Sequence, residues 1–114
     1  MDPKKQILKL YQKGFKNIGQ KYQRQYPNEE FCRFMGRNFF HIAQNKRKKL
    51  KFLEVGVGSG ANLSVICNEK FDASGIDISE DSIKITKKIF KRKKYKANLK
   101  VGDMTNIPYD SKKF

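Results

Sequence analysis

Apolar positions in the first fifty residues recur at three- and four-residue steps, the spacing of one face of a helix. A first helix is predicted after Asp2-Pro3, and a polar loop then leads to Pro27. A second helix is predicted after the cap residue Asn28, with most of its apolar positions in the core. The apolar positions are Ile7, Leu10, Tyr11, Phe15 and Ile18 in the first helix and Phe31, Phe34, Met35, Phe39 and Ile42 in the second.

Beyond residue 50 the pattern alternates between short apolar runs and amphipathic segments. The runs Lys51–Val55, Phe71–Ile78 and Asn98–Val101 are typical of buried strands. Helical spacing separates them, starting at Ala61 and again after the cap residue Ser79. The order strand-helix-strand-helix-strand predicts an α/β fold with a parallel, Rossmann-like, doubly wound sheet.

A glycine-rich turn joins the first of these strands to its helix. Gly56, Gly58 and Gly60 occupy every second position, where a backbone without Cβ atoms can adopt positive φ and approach a ligand closely. The free N–H groups of the helix that follows favour a negatively charged group at the same place. The turn is therefore predicted to bind a ligand.

Acidic residues stand at the ends of all three predicted strands. Glu54 precedes the first glycine, Asp77 ends the second strand 21 residues after Gly56, and Asp103 follows the third strand. Ligands of parallel α/β sheets bind beyond the carboxyl ends of the strands, and an acidic residue about twenty positions after a glycine turn suits ribose hydroxyls. Each aspartate alone is equally typical of a turn or a cap, but the three together favour a site.

Three segments in this order resemble the first three motifs of class I S-adenosylmethionine-dependent methyltransferases. They are Glu54 to Gly60, Gly75-Ile76-Asp77-Ile78-Ser79, and Gly102-Asp103-Met104 with Ile107-Pro108-Tyr109. The resemblance implies S-adenosylmethionine as cofactor, with the glycine turn against its methionine portion and Glu54 holding the amino group. It further implies that Asp77 binds the ribose, that Ile78 packs on the adenine and that Asp103 and Met104 line its edge. Tyr22 or Tyr26 would close over the cofactor.

The resemblance covers residues 51–114 and only the first three of the seven strands that the family has. We expect residues 1–50 to form an N-terminal helical cap segment and residues 51–114 to form part of the S-adenosylmethionine-binding domain. The family's first strand is central and pairs with the fourth, so a continuation of this chain or a partner chain is expected to complete the sheet. No catalytic residue can be named, and the 114 residues alone are expected to bind the cofactor weakly or not at all and to show no turnover.

A second class of enzyme fits part of the pattern. Gly56, Gly58 and Ala61 also satisfy the looser dinucleotide fingerprint of an NAD-type oxidoreductase. Three features favour the methyltransferase: the acidic Glu54 two positions before the first glycine, the additional Gly60, and the Gly102-Asp103 pair.

The net charge of +15 raises the alternative of a nucleic-acid-binding module or an RNA methyltransferase. Lys supplies 21 of the 26 basic residues, which is more typical of a Lys-rich composition than of an Arg-built phosphate site. Two clusters of basic residues support this alternative. The first, Lys46 to Lys49, is predicted to be a solvated helix end, and in the second, Lys87 to Lys96, seven of ten residues are basic. The acceptor expected by default is a small metabolite.

Cys32 and Cys67 lie far apart without a CxxC motif, so no metal site is predicted and both are expected to be small buried hydrophobic residues. The single histidine, His41, is expected to be a surface or hydrogen-bonded residue rather than a catalytic one. No membrane-spanning run or signal sequence is seen, and a cytoplasmic protein is expected.

Overall fold

A computed structural model describes residues 26–109 of the chain. Its elements in order are α1 (Glu29–Asn38), α2 (Gln44–Arg47), β1 (Lys51–Val55), α3 (Ala61–Asn68), β2 (Asp72–Asp77), α4 (Glu80–Lys93) and β3 (Asn98–Val101). The strands form one parallel sheet in the order β1-β2-β3. The α/β fold with a parallel sheet is therefore confirmed, while the predicted first helix lies outside the described residues.

Helix α1 starts as the sequence predicts but is buried less than expected. The side chain of Asn28 accepts a 3.1 Å hydrogen bond from the Phe31 amide, and two glutamates occupy the first turn. The prediction that most apolar positions of this helix lie in the core is wrong: only Met35 is fully buried, while Phe34 is 55% exposed. Phe31 and Phe39 pack against the edge of the core.

The sheet and helices α3 and α4 enclose the main core. Its buried members are Met35, Val57, Leu63, Ile66, Cys67, Phe71, Ala73, Ile83, Phe90 and Leu99. Because Met35 belongs to this cluster, α1 packs against the same core as the sheet. The boundary proposed after residue 50 stays a prediction.

A glycine at the centre of β2 allows α3 to approach the sheet closely. A Cβ atom at Gly75 would collide with the Val57 side chain and would lie 3.0 Å from Leu63. On the other face of β2, Ile76 is fully buried, and the segment that ends at Tyr109 follows β3 along the chain. The Tyr109 hydroxyl donates a 2.9 Å hydrogen bond to the carbonyl of Asn98, which holds this segment against β3.

The basic run at residues 46–49 is only partly solvated, which corrects one prediction. Arg47 is 6% exposed and donates hydrogen bonds to the carbonyl oxygens of Phe40, Ile42 and Glu69 and to the Glu69 carboxylate. Its guanidinium also lies over the Phe71 ring, 5.2 Å from the centroid. Arg47 therefore joins the connection after α1 to the turn before β2, and only its lysine neighbours face solvent.

The two cysteines differ in their environment. Cys67 is 7% exposed, whereas Cys32 is half-buried, so the expectation that both are buried holds for Cys67 alone. Burial raises the pKa of the Cys67 thiol to about 11, against a smaller opposing effect of the positive charge on Lys48. None of the helices formed by residues 26–109 is long and apolar enough to cross a lipid bilayer.

Candidate functional site

The turn after β1 places three glycines in the left-handed region of the backbone. The φ angles are +83° at Gly56, +61° at Gly58 and +85° at Gly60. A Cβ atom at Gly56 would meet nothing within 4 Å, so the backbone there is open to a ligand. At Gly60 it would lie 2.7 Å from Thr86 and 2.8 Å from Phe90, so this glycine is required for packing against α4.

The carboxylate of Asp77 fastens the end of β2 to this turn. Its Oδ2 accepts a 2.9 Å hydrogen bond from the Gly58 amide, and its Oδ1 accepts a 2.8 Å bond from the Ser79 amide. The side chain is 5% exposed. A carboxylate offers about four acceptor positions, and these two bonds occupy two of them. Asp77 thus has the structural role at a turn and a helix start that the sequence left open as an alternative to ligand binding.

Further hydrogen bonds extend this arrangement to α4 and β3. The Thr86 hydroxyl donates a 2.8 Å bond to the carbonyl of Gly58, which fixes the other side of the same turn residue. The Gly102 amide donates a 3.0 Å bond to the backbone carbonyl of Asp77. Gly58, Asp77 and Gly102 therefore form a continuous row at the carboxyl end of the sheet, as the sequence predicts for parallel strands.

Asp103 starts the loop after β3 and is held by that loop. Its Oδ1 accepts a 2.9 Å hydrogen bond from the Thr105 amide, and its carbonyl accepts one of 2.9 Å from Asn106. This is an Asx-type turn, in which an aspartate side chain replaces part of the backbone hydrogen bonding. The structure thus gives Asp103 a turn role beside its predicted place at the adenine edge.

Several large apolar side chains are exposed on and just after the three strands. They are Val55 (45%), Ile78 (44%), Val101 (51%), Met104 (70%) and Ile107 (42%). Ile78 and Met104 are the residues predicted to contact adenine. Exposed apolar side chains beside the hydrogen-bonding row at Asp77 suit a ligand with a flat apolar ring and a polar sugar.

Glu54 lies on the β1 side of this arrangement, separate from the Asp77 row. It is half-buried, its Oε1 is shielded from solvent, and it lines an apolar cleft of about 250 Å³ with Phe31, Phe52, Leu53, Val55, Asn62, Leu63 and Ile66. The sequence did not indicate Asn62, whose Oδ1 accepts a 2.8 Å hydrogen bond from the Asn28 amide and so ties the start of α1 to α3.

Tyr26, like Glu54, lines a cleft, but on the other side of α3. It is 80% exposed and lines a second cleft of about 250 Å³ with Ser59, Gly60, Ala61, Ser64, Ile89, Phe90, Arg92 and Lys93. This cleft is bounded by α4 rather than by the loop after β3. The other tyrosine considered, Tyr22, lies outside the described residues.

Comparison with known proteins identifies the class. The methyltransferase domain family matches residues 52–114, more than half of the sequence. The chain belongs to this family, which confirms the class predicted from the three motifs. No curated protein matches the sequence significantly.

Several solved structures share the fold of this chain. The MccD protein superposes with a TM-score of 0.60 at 18% identity, over 76% of this chain and 38% of its own. A protein from Pyrococcus horikoshii OT3 gives 0.51 at 23% identity, over 72% of this chain and 39% of its own. The plantazolicin methyltransferase BpumL, solved with a monoazolic desmethylPZN analog and SAH, gives 0.50 at 23% identity, over 97% of this chain and 39% of its own. The chain thus spans less than two fifths of each of these structures.

Proposed function

We propose that this chain forms the S-adenosylmethionine-binding part of a methyltransferase. The observation that carries the proposal is the row of hydrogen bonds from Gly58 through Asp77 to Gly102, beside the open backbone of Gly56. The family match and the SAH bound to BpumL support the same cofactor.

The residues present fit this cofactor. Gly56 leaves room for close approach of a ligand, and the carboxylate of Asp77 keeps acceptor positions for ribose hydroxyls. Ile78 and Met104 offer exposed apolar surface for the adenine ring, with Asp103 at its edge. The glycine turn and Glu54 would bind the methionine portion. These contacts are predictions of the resemblance and the geometry together.

When bound, the cofactor supplies a sulfonium-linked methyl group that a nucleophile attacks in line. We expect the described residues to bind and orient the cofactor: the Asp77 row fixes the turn, and a bound cofactor would cover the exposed apolar side chains beside it. No side chain in the described residues is assigned as a base. The methyl acceptor proposed by default is a small metabolite, and the proposed compartment is the cytoplasm.

The sheet is proposed to take a further strand. Within the described residues β1 bonds to β2 alone, and the apolar cleft at Glu54 opens beside it. A strand from a partner chain or from a longer form of this polypeptide would cover both. For this reason the 114 residues alone are expected to bind the cofactor weakly and to catalyse no transfer.

Weak binding is best measured by NMR. In ¹⁵N–¹H spectra of the chain titrated with S-adenosylhomocysteine, we expect the amide signals of Gly56, Gly58 and Gly102 to shift. Gly56→Val should abolish these shifts, while Gly36→Ala, in a helix where the new methyl group only reaches van der Waals contact with Phe40, should leave them unchanged. Stronger perturbation of the same amides by NAD⁺ than by S-adenosylhomocysteine would contradict the proposed cofactor.

A further inference from the structure

The solvent face of α4 is a continuous basic surface. Lys84, Lys87, Lys88, Lys91, Arg92 and Lys93 are all exposed, and Lys94 and Lys96 continue the surface beyond the helix. The sequence holds no carboxylate between Asp81 and Asp103 that could neutralise it. The glutamate at the start of the helix, Glu80, pairs with Lys84, at 3.4 Å between exposed groups. Most of the positive charge of this helix is therefore directed to solvent.

The orientation of this face is fixed by the core. The opposite side of α4 buries Ile83, Thr86 and Phe90, and the Thr86 hydroxyl is bonded to the glycine turn. Lys84, Lys88 and Lys91 follow one another at four- and three-residue steps, so they lie in a row along the exposed side. A row of cations on a rigid helix matches a chain of regularly spaced phosphates.

An aromatic side chain lies next to the end of this row. Arg92 and Lys93 line the second cleft, of about 250 Å³, together with Tyr26. The tyrosine is 80% exposed, so its ring is accessible. Proteins that bind single-stranded nucleic acids combine accessible aromatic rings with cations. The bases stack on the rings, and the phosphates contact the cations.

We propose that the α4 face and the Tyr26 cleft bind single-stranded nucleic acid. Phosphates lie along Lys84, Lys88 and Lys91, and one unstacked base packs on Tyr26. An anionic membrane fits less well, because the apolar side of α4 is buried in the core and its exposed side offers cations without apolar anchors. The proposal concerns binding alone and does not depend on methyl transfer or on the cofactor.

The test uses fluorescence anisotropy of a labelled twelve-nucleotide oligouridine with the full chain, without cofactor, from 50 to 300 mM salt. A triple variant, Lys88→Gln, Lys91→Gln and Arg92→Gln, is compared with a matched variant, Lys46→Gln, Lys49→Gln and Lys70→Gln. The three control lysines are exposed and lie outside α4, and both variants lose the same charge. Circular dichroism of both establishes that the fold is kept.

We expect the α4 variant to bind at least tenfold more weakly, with the logarithmic salt slope reduced by about 2, since each single-strand phosphate contact contributes roughly 0.7. The control variant should bind within threefold of the unmodified chain. Equal weakening in the two variants would overturn the proposal, because net charge alone would then explain binding. Absence of binding at 50 mM salt would overturn it too.

The aromatic contribution is tested separately at Tyr26. Tyr26→Phe keeps the ring and should bind as the unmodified chain, whereas Tyr26→Ala should weaken binding about tenfold. Comparison of oligouridine with oligodeoxythymidine then distinguishes RNA from DNA, and either preference supports the proposal. Tighter binding to anionic phosphatidylserine vesicles or to a twelve-base-pair duplex than to the single strands would contradict it.

Discussion

The Gly58 amide and the Asp77 carboxylate, 19 residues apart in sequence, are joined by a buried hydrogen bond of 2.9 Å. Through this bond the loop after β1 is held by the end of β2. The same carboxylate also accepts from the amide of Ser79, at the start of α4. One side chain thus fixes the turn after one strand and the start of the next helix.

Asp77→Asn should destabilise the chain by about 1–3 kcal/mol. An amide has only one oxygen, so its NH₂ group would face either the Gly58 or the Ser79 amide, and one buried donor would lose its acceptor. Urea unfolding followed by circular dichroism measures the loss. Asp72→Asn, at the half-buried start of β2, is the matched control and should change stability by less than 0.5 kcal/mol, about the size of an ordinary surface substitution. An unchanged unfolding midpoint for Asp77→Asn would show that the two hydrogen bonds do not hold the turn.

Replacing Gly56 or Gly60 of the turn with alanine should destabilise the chain to different extents. Gly56→Ala meets open space and should cost about 1–2 kcal/mol, the strain of a positive φ. Gly60→Ala adds collisions with Thr86 and Phe90 and should cost at least about 1 kcal/mol more. Thermal unfolding of the two variants side by side tests the difference. If the two variants were equally stable, α4 would not pack on the turn as described.

Arg47→Lys should destabilise the chain by about 3 kcal/mol. The guanidinium donates hydrogen bonds to three carbonyl oxygens and to the Glu69 carboxylate at once. A single ammonium group cannot donate to all four acceptors. Arg33→Lys is the control, because Arg33 pairs with Glu29 in solvent, where ion pairs contribute little. Equal unfolding midpoints for the two variants would contradict a structural role for Arg47.

Cys67 should react with iodoacetamide at pH 8 much more slowly than Cys32. Burial raises its pKa from 9.0 to about 11, which leaves about a hundredfold less of the reactive thiolate. Mass spectrometry of the folded chain over time gives both rates, and the two cysteines should react alike in urea. Because the folded-state pKa is the higher one, this thiol stabilises the fold below about pH 9, and that contribution is lost as pH rises towards 11. Similar rates in the folded chain would show that Cys67 is accessible.

Much of the fold could be predicted because it depends on local patterns. The change in the spacing of hydrophobic residues along the sequence predicted α3, α4, β1 and β3. Once the strands are known to be parallel, it follows that their carboxyl ends lie at the same edge of the sheet. The second strand is shorter than predicted by one residue at each end. Phe71 instead packs against Phe52, with ring centroids 5.1 Å apart, and Ile78 has turned to solvent at the rim.

The features that were missed depend on contacts between distant parts of the chain. In the sequence, Arg47 is one of four consecutive basic residues, and nothing local separates it from its exposed neighbours. Its burial follows from carbonyl groups of the loop after α1 and of Glu69, 22 residues away. Likewise, the spacing of Asp77 from the glycine turn suggests that Asp77 binds a ligand. Only the folded structure shows that its carboxylate accepts a hydrogen bond from the turn itself, at Gly58.

The double engagement of Asp77 has a consequence for any genetic screen of this domain. If Asp77 also binds the proposed cofactor, substitutions there lower abundance in the cell together with cofactor affinity, and a screen cannot separate the two effects. At Gly56, where an added Cβ atom meets nothing within 4 Å, the loss of stability comes from the positive φ alone, so a substitution there disturbs the fold less than one at Gly60.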